Sequence, residues 1–399
     1  MKASWVTKRL SEVCTFRPPK SEARAKLAET DVVSFAPMED LGIDLKYLNP
    51  SRTRIFSEVA GSYTYFADGD VLLAKITPCF ENGKLGIARE LVNGIGFGSS
   101  EYFVVRPHAE LKSEYLYYFL LQPTFREQGA TFMTGAVGHK RVSKEFLQTY
   151  EIPIPPIAVQ QRIVSILDEA FGNFAKARAN AEKNLINVRA LFESHLHLVF
   201  SQQGEEWQVK KIRDIAKHSL GKMLDKAKNK GVLRPYLRNL NVRWFVFDLS
   251  DVLQMPFLPE ESGKYTAIKG DVLICEGGYP GRAAIWNEDY PIHFQKALHR
   301  VRFDEPEHNK WFLYYLYSQD KSGELKTHFN GAGIQHFTGE ALARFELPLP
   351  PLTEIRKTVA KIEALSAETQ RLESIYQKKL VALDELKQSL LHQAFSGQL

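Results

Sequence analysis

The side chains in this chain best suited to chemistry are cations and amides carried on polar, glycine-bearing loops. In the first half they are Arg52 and Arg54, Lys75 and Lys84 within KITPCFENGK, and His139, Lys140 and Arg141 within GAVGHKRVS. In the second half they are Arg234, Arg238, Asn241 and Arg243, then Tyr279 and Arg282 within EGGYPGRAAIW, Gln295 and Lys296, and Gln335 and His336 within GAGIQHFT. Arg, Asn and Gln can hydrogen-bond base edges bidentately, while Lys and backbone amides suit phosphate oxygens. Any one of these residues alone is an ordinary solvated surface group; as a set at matching places in both halves they point to DNA binding. The densest stretch lies between Asp225 and Arg243, where Lys226, Lys228, Lys230, Arg234, Arg238 and Arg243 face a single acid.

Bond-breaking chemistry has no comparable signature. The phosphate-loop pattern G-x-x-x-x-G-K-S/T, the nucleophile elbow G-x-S-x-G and the zinc motif H-E-x-x-H are absent, and GGYPG at Gly277–Gly281 is not the dinucleotide fingerprint G-x-G-x-x-G. Asn49-Pro50-Ser51-Arg52 is the nearest approach to the N-P-P-Y tetrapeptide of amino-methyltransferases and departs from it. His195 and His197 are two apart, which on a helix places them on different faces, so no metal site is expected.

At 399 residues the chain exceeds one typical domain of ~100–200 residues. Hydrophobic residues at 44%, charged residues at 25% and a net charge of +5 describe an ordinary globular protein that tolerates a polyanionic partner. No run approaches the ~18 apolar residues of a membrane span. The start, MKASWVTKRL, has no apolar signal core, and Cys14, Cys79 and Cys275 are far apart without a C-x-x-C pair. A reducing cytoplasm is the expected location.

The elements that must position the loops occur twice. EIPIPPIAVQQ from Glu151 returns as ELPLPPLTEIR from Glu346, an offset of 195 that holds to the C-terminus. WVTKRLSEV from Trp5 returns as WQVKKIRDI from Trp207, and GDVLLAK from Gly69 as GDVLICE from Gly270. Because the offset is constant only in the last part of each copy, the length of that tail is the constrained quantity. Steps of three and four along the tails pick out Leu167, Phe174, Asn184, Val188 and Leu191 in one, and Ile362, Leu372, Lys379, Leu383 and Leu386 in the other. These predict two long helices that bury matching seams on each other, with Asn184 and Lys379 as paired polar interruptions that fix register. An ordinary helical bundle is the blander alternative.

Ahead of each tail, short β-branched and aromatic runs (DVVSFAPM, EYFVVRP, WFVFDL, LHRVRF) alternate with turn residues and one helix each, around Glu114–Leu121 and Lys310–Ser318. The fold class is therefore α+β: two pseudo-repeated globular domains, residues 1–150 and 205–345, each followed by a proline hinge and long helix, residues 151–204 and 346–399. If the helices pair as an antiparallel coiled coil, the two domains are related by an approximate two-fold, like a caliper on a duplex.

The doubled proline hinge, together with YLRNLNVRWFVFDLSDV (Tyr236–Val252), KGDVLICEGG (Lys269–Gly278) and GAGIQHFTGEALARFELPLPPLTE (Gly331–Glu354), resembles the specificity (S) subunit of type I restriction-modification systems over essentially the full chain. Members often carry Glu-Gln after the hinge; here Val159-Gln160 and Glu354-Ile355 each keep half of it. The resemblance implies a non-catalytic DNA-recognition subunit whose two target recognition domains read a bipartite, asymmetric site. It implies two methyltransferase (M) subunits as partners, with restriction (R) subunits able to join and no membrane. It further implies no cofactor in this chain, S-adenosylmethionine on the M subunit, and ATP and Mg on the R subunit. Two other classes stand beside it: a stand-alone DNA nuclease, tested by assaying the purified chain with Mg²⁺, and a duplicated-domain DNA-binding regulator without a methyltransferase partner, tested by the neighbouring reading frame.

Overall fold

A computed structural model describes residues 5–136, 138–202, 204–225 and 229–399. The first domain contributes β1 (Val6–Arg9), β2 (Cys14–Phe16), β3 (Val32–Ala36), β4 (Arg52–Ile55), β5 (Thr64–Ala67), β6 (Val71–Ala74), β7 (Leu85–Ile87), β8 (Ile95–Gly98), β9 (Tyr102–Pro107) and β10 (Glu151–Ile154). The second contributes β11 (Gln208–Lys211), β12 (Ala216–Leu220), β13 (Val232–Leu237), β14 (Leu253–Phe257), β15 (Thr266–Ala267), β16 (Val272–Cys275), β17 (Ala283–Ile285), β18 (Ile292–Phe294), β19 (Leu298–Phe303) and β20 (Glu346–Leu349). In the first, β2-β9-β6-β7 and β4-β3-β8-β5 form two four-stranded sheets and β1-β10 a ribbon; adding ten to every label gives the second. Even the parallel pair recurs, β3 with β8 and β13 with β18.

The continuous apolar runs VLLA and VLIC mark strands buried on both faces. Alternate side chains are sorted into two cores: Val71 and Leu73 face the domain helix Ser113–Leu120, whereas Leu72 and Ala74 pack toward Ala36, Leu48 and Phe66. Val272 with Ile274, and Leu273 with Cys275, divide in the same way. Both domains also share polar fasteners. Arg106 grips Asp70 at 2.6 and 2.8 Å, and Arg302 grips Asp271 at 2.7 and 2.6 Å. The Tyr115 hydroxyl donates to Pro153 O at 3.0 Å, and Trp311 Nε1 to Pro348 O at 2.7 Å.

The proline phrase is more than a hinge. EIPI and ELPL are strands, paired antiparallel with β1 and β11 respectively. Proline fits because a two-stranded ribbon has only edge strands, whose outer side needs no N–H. The run WFVFDL, by contrast, is not a strand: Phe245 has φ 69°, its N–H bonds Ala283 O at 3.1 Å, and its ring turns onto Tyr314 and Tyr317.

Two helices follow the ribbons, Ile157–Ser201 of 45 residues and Leu352–Phe395 of 44. The chain divides into two compact units, residues 1–181 with 378–399, and residues 182–377. In the first unit Arg178 pairs with Asp384, and in the second Arg189 pairs with Glu373. Eleven residues up one helix are eleven down the other, so the helices run antiparallel. Leu167 and Ile362 are fully buried on the seam; Phe174, Asn184, Val188, Leu372 and Leu383 are half-buried.

Leu191, Lys379 and Leu386 are exposed and do not belong to the seam. Phe192 and Leu380 take the inward places of Leu191 and Lys379. A helix of 3.6 residues per turn drifts ~20° per heptad against a strict 3.5 repeat. The last turns also leave the helix pair for a domain core: Phe192, Leu196 and Phe200 in the second unit, and Leu391, Ala394 and Phe395 in the first. The matched polar interruption therefore reduces to Asn184.

Candidate nucleic-acid interface

In the first domain backbone hydrogen bonds zip two of the basic loops together. Val142 N–H donates to Lys75 O and Thr77 N–H to Lys140 O, each at 2.9 Å, while Thr134 and Arg141 exchange bonds at 3.0 and 2.8 Å. The Ser143 hydroxyl then caps the next helix, accepting from Phe146 N at 3.1 Å. Lys75, His139, Lys140 and Arg141 are thus gathered. Arg141 grips Glu101 at 2.9 and 2.8 Å, and this bond is the main cause holding the Glu101 carboxyl below its usual range. Burial lowers the Lys75 pKa against the pull of Glu101, 4.0 Å away, and its ammonium donates to Ser100 O at 2.7 Å.

Other first-half candidates lie apart from that group. Lys84 turns inward and donates to Met38 O at 2.8 Å. Arg52 and Arg54 stand exposed on β4, an edge of the other sheet; Arg52 pairs with Glu39 at 3.1 Å, and Arg54 sits 5.8 Å from the Phe35 ring centre. Arg52 also lines a groove of about 630 Å³ with Tyr47, Asn49 and Arg89. Arg89 lies over the Tyr47 ring at 4.9 Å, a pairing that nothing in the sequence marks, because the partners are joined only by folding.

The second domain repeats the zipper with different side chains. Phe337 N–H donates to Glu276 O at 2.8 Å, Asn330 and His336 exchange bonds at 2.9 Å, and the Thr338 hydroxyl caps its helix by accepting from Ala341 N at 3.3 Å. Three loops meet here. Asn239 donates to Gly277 O at 3.1 Å, and Arg282 donates to Asn239 O at 3.0 Å while lying 5.1 Å from the Tyr279 ring centre. Gly278, at φ 81°, has room for no side chain, since a Cβ there would stand 2.4 Å from Asn239 Nδ2. Tyr279 is exposed with its hydroxyl donating to Asp320 at 3.2 Å; Gln335 and His336 are exposed beside it in the zipped loop.

Asn241 is removed from the solvent-facing set. It is 2% exposed, its Oδ1 accepts from Arg238 N at 2.9 Å, and its Nδ2 donates to the carbonyls of Asp248 and Asp251, each at 2.9 Å. Arg238 is likewise held, donating to Asp251 O and its carboxylate at 2.7 Å. Both build the loop that presents Arg243, whose exposed guanidinium donates to Leu240 O at 2.6 Å. Arg234 projects from β13 and Lys296 is exposed, while Gln295 is half-buried. Lys226 and Lys228 lie outside the described residues.

One scaffold thus carries two chemistries. The positions of Lys75, Lys140 and Arg141 are occupied in the second domain by Glu276, Gln335 and His336, with matching backbone hydrogen bonds at the first and the last of them. Among the described residues no three His, Cys, Asp or Glu side chains cluster as metal ligands, and no helix is long and apolar enough to cross a membrane.

The duplicated domain, the doubled ribbon and the paired helices match a known family. The sequence model of the type I restriction modification DNA specificity domain covers residues 2–186 and 204–380, and the chain belongs to that family. Among curated relatives, the Escherichia coli type I restriction enzyme EcoEI specificity subunit is 40% identical over 164 residues, 40% of this chain and 26% of the relative. The EcoAI specificity subunit of the same organism is 39% identical over 133 residues, 33% of this chain and 23% of the relative. Those two matches thus span about a quarter of the relatives' length. The MjaVIII specificity subunit of Methanocaldococcus jannaschii is 23% identical over 311 residues, 71% of this chain and 70% of its own. A solved chain described as "Structural basis underlying complex assembly and conformational transition of the type I R-M system" aligns with a TM-score of 0.81 at 19% identity, over 99% of this chain and 98% of its own. The HsdS subunit from Thermoanaerobacter tengcongensis aligns with a TM-score of 0.63 at 18% identity, over 99% and 97%. At these identities the two structures establish the fold.

Proposed function

We propose that this chain is the DNA-recognition subunit of a type I restriction-modification complex, without catalytic chemistry of its own. The observation that carries the proposal is the family match in both halves, joined to loop clusters that share a backbone and differ in side chains. Each domain reads one half of a bipartite site. The two halves differ because Lys75, Lys140 and Arg141 offer only donors, whereas Glu276, Gln335 and His336 include acceptors. The paired helices serve as spacer and docking face for two methyltransferase subunits. In this reading S-adenosylmethionine belongs to the methyltransferase, ATP and Mg²⁺ to restriction subunits that join the complex, and the complex acts in the cytoplasm.

Mapping modified bases in a host that expresses this chain with its cognate methyltransferase tests the reading. Methylation at one two-part motif is expected, and omission of this chain should abolish it. Methylation that persists without the chain would refute the proposal, and Mg²⁺-dependent cleavage by the chain alone would favour the nuclease.

A further inference from the structure

The first domain contains a cleft of about 420 Å³ that the second domain does not reproduce in chemistry. Arg17, Lys20, Lys75 and Lys144 line it, with Tyr63 and Phe103 among its aromatic walls, and no Asp or Glu is in the lining. At the repeat-equivalent positions the second domain has Ser219, Lys222, Glu276 and Gly339, so four cations become one cation and one acid. The lysine that both domains share bonds backbone carbonyls in each, and in the second domain it also pairs with Glu261 at 2.5 Å. Lys20 donates to Ala60 O and Gly61 O at 2.9 and 2.7 Å, and Lys222 to Pro256 O at 3.0 Å. The other cations are additions peculiar to the first domain.

The backbone shows how one of them was placed. Ser219 sits inside β12, an unbroken strand of five residues, whereas β2 stops after three and Arg17 follows at φ 55°. That left-handed conformation is strained for a residue with a Cβ. Such conformations cluster at functional sites, and here this one turns the Arg17 side chain to the cleft wall. Arg17 and Lys144 are exposed, and neither side chain has a hydrogen bond or ion pair with the rest of the described chain. Lys75 keeps two of its three protons after donating to Ser100 O. Burial lowers the pKa of both Lys20 and Lys75; Glu101 opposes the lowering at Lys75, and Arg17 adds to it at each, so Arg17 repels both lysines across the cleft. An anion would relieve that repulsion.

We propose that this cleft seats the phosphate of a nucleotide, with Arg17, Lys75 and Lys144 around its oxygens and Tyr63 or Phe103 against the attached sugar or base. The volume lies within the ~300–1,000 Å³ of ordinary ligand sites, and cations interleaved with aromatic rings suit a phosphate that carries a ring. The proposal deepens the reading of the first domain as a DNA reader and rests on it for the source of the phosphate: a phosphodiester of the bound duplex, with a free nucleotide as the other source of the same chemistry.

The test uses the full-length chain and its Arg17→Ala/Lys144→Ala variant, both positions being solvent-facing. In one arm, binding to the cognate duplex and to an unrelated duplex is measured against salt. Affinity for both duplexes should fall by the same factor, on the order of tenfold. The slope of log K against log salt should flatten by about 1.8, or ~0.9 for each phosphate interaction removed. In the other arm deoxyadenosine monophosphate is titrated into both proteins. Loss of nucleotide binding with unchanged duplex binding would keep the cleft as a phosphate site and assign it to free nucleotide. If neither arm changes, the proposal is overturned. Should the wild-type chain bind no duplex at all, the reading of the domain as a DNA reader fails, and the nucleotide arm still decides the cleft.

Discussion

Truncation of Phe395 to alanine tests the claim that the last turn of the C-terminal helix is a structural part of the first domain. Phe395 is 9% exposed and packs edge-on against Tyr115 and Phe119, with ring centres 5.0 and 5.3 Å away. Its repeat mate, Phe200, is 5% exposed and meets Trp311 and Tyr315 at 4.8 and 5.2 Å. Removing a buried phenylalanine ring costs about 3–5 kcal/mol, because the transfer free energy of the ring is lost and a cavity remains. Each ring also makes two edge-to-face contacts that no methyl group can replace. A unit of about 200 residues loses roughly 2–4 °C of melting temperature per kcal/mol, so each variant should melt roughly 6–20 °C lower. The two rings lie in separate cores, and the losses should add to within about 0.5 kcal/mol in the double variant. Urea unfolding followed by far-ultraviolet circular dichroism measures the stability. Tryptophan fluorescence weights the second unit, since Trp207, Trp244, Trp286 and Trp311 belong to residues 182–377 and only Trp5 to the other unit. A loss below about 1 kcal/mol in either single variant would refute the anchoring argument; strong non-additivity would refute the independence of the two cores.

Gln160 is fully buried at the start of the first long helix, where it accepts from Lys112 N at 2.9 Å and donates to Glu110 O and Pro155 O at 2.8 and 2.9 Å. Gln160→Leu should therefore cost about 1–3 kcal/mol by equilibrium unfolding, and Ile355→Gln, its reciprocal in an apolar core, should be no better tolerated. Arg243→Glu should weaken duplex binding and flatten its salt slope by roughly 1 in fluorescence anisotropy, with a smaller loss of stability than Asn241→Ala, which should lower the melting temperature because three loop hydrogen bonds of a buried side chain vanish. Burial pushes the His299 pKa down to about 4, with His218 adding to the effect and a hydrogen bond to Phe337 O opposing it. The unfolded chain binds that proton near pH 6.5, so the His299 contribution is intact above pH 6.5 and lost as pH falls toward 4, by up to about 1.4 kcal/mol per pH unit. The stability difference between pH 7 and pH 5 should shrink in His299→Gln; an unchanged difference would mean that the histidine is not held neutral by its surroundings.

The duplication, the α+β class and the two long helices were legible in the sequence because each rests on local periodicity or on an order of motifs that folding does not alter. VLLA and VLIC announce strands buried on both faces, and the proline phrases announce the helix starts that follow them. Side-chain assignment was legible only in part. Loop position in the repeat marked matching segments in both halves, and folding then gathered Lys75 with His139, Lys140 and Arg141, and Glu276 with His336, through backbone bonds between those loops. Composition could not tell that Asn241 and Arg238 spend their hydrogen bonds on their own loop, that Lys84 turns inward, or that Arg17 leaves its strand at φ 55° to line a cleft. Lysine, arginine and asparagine offer donors in every setting, and which acceptor lies within reach is fixed only when distant segments pack. The seam is followed only in part: Leu191 and Leu386 turn outward next to the turns that enter a globular core, and Lys379 turns outward mid-helix, where a helix of 3.6 residues per turn drifts against a 3.5 repeat.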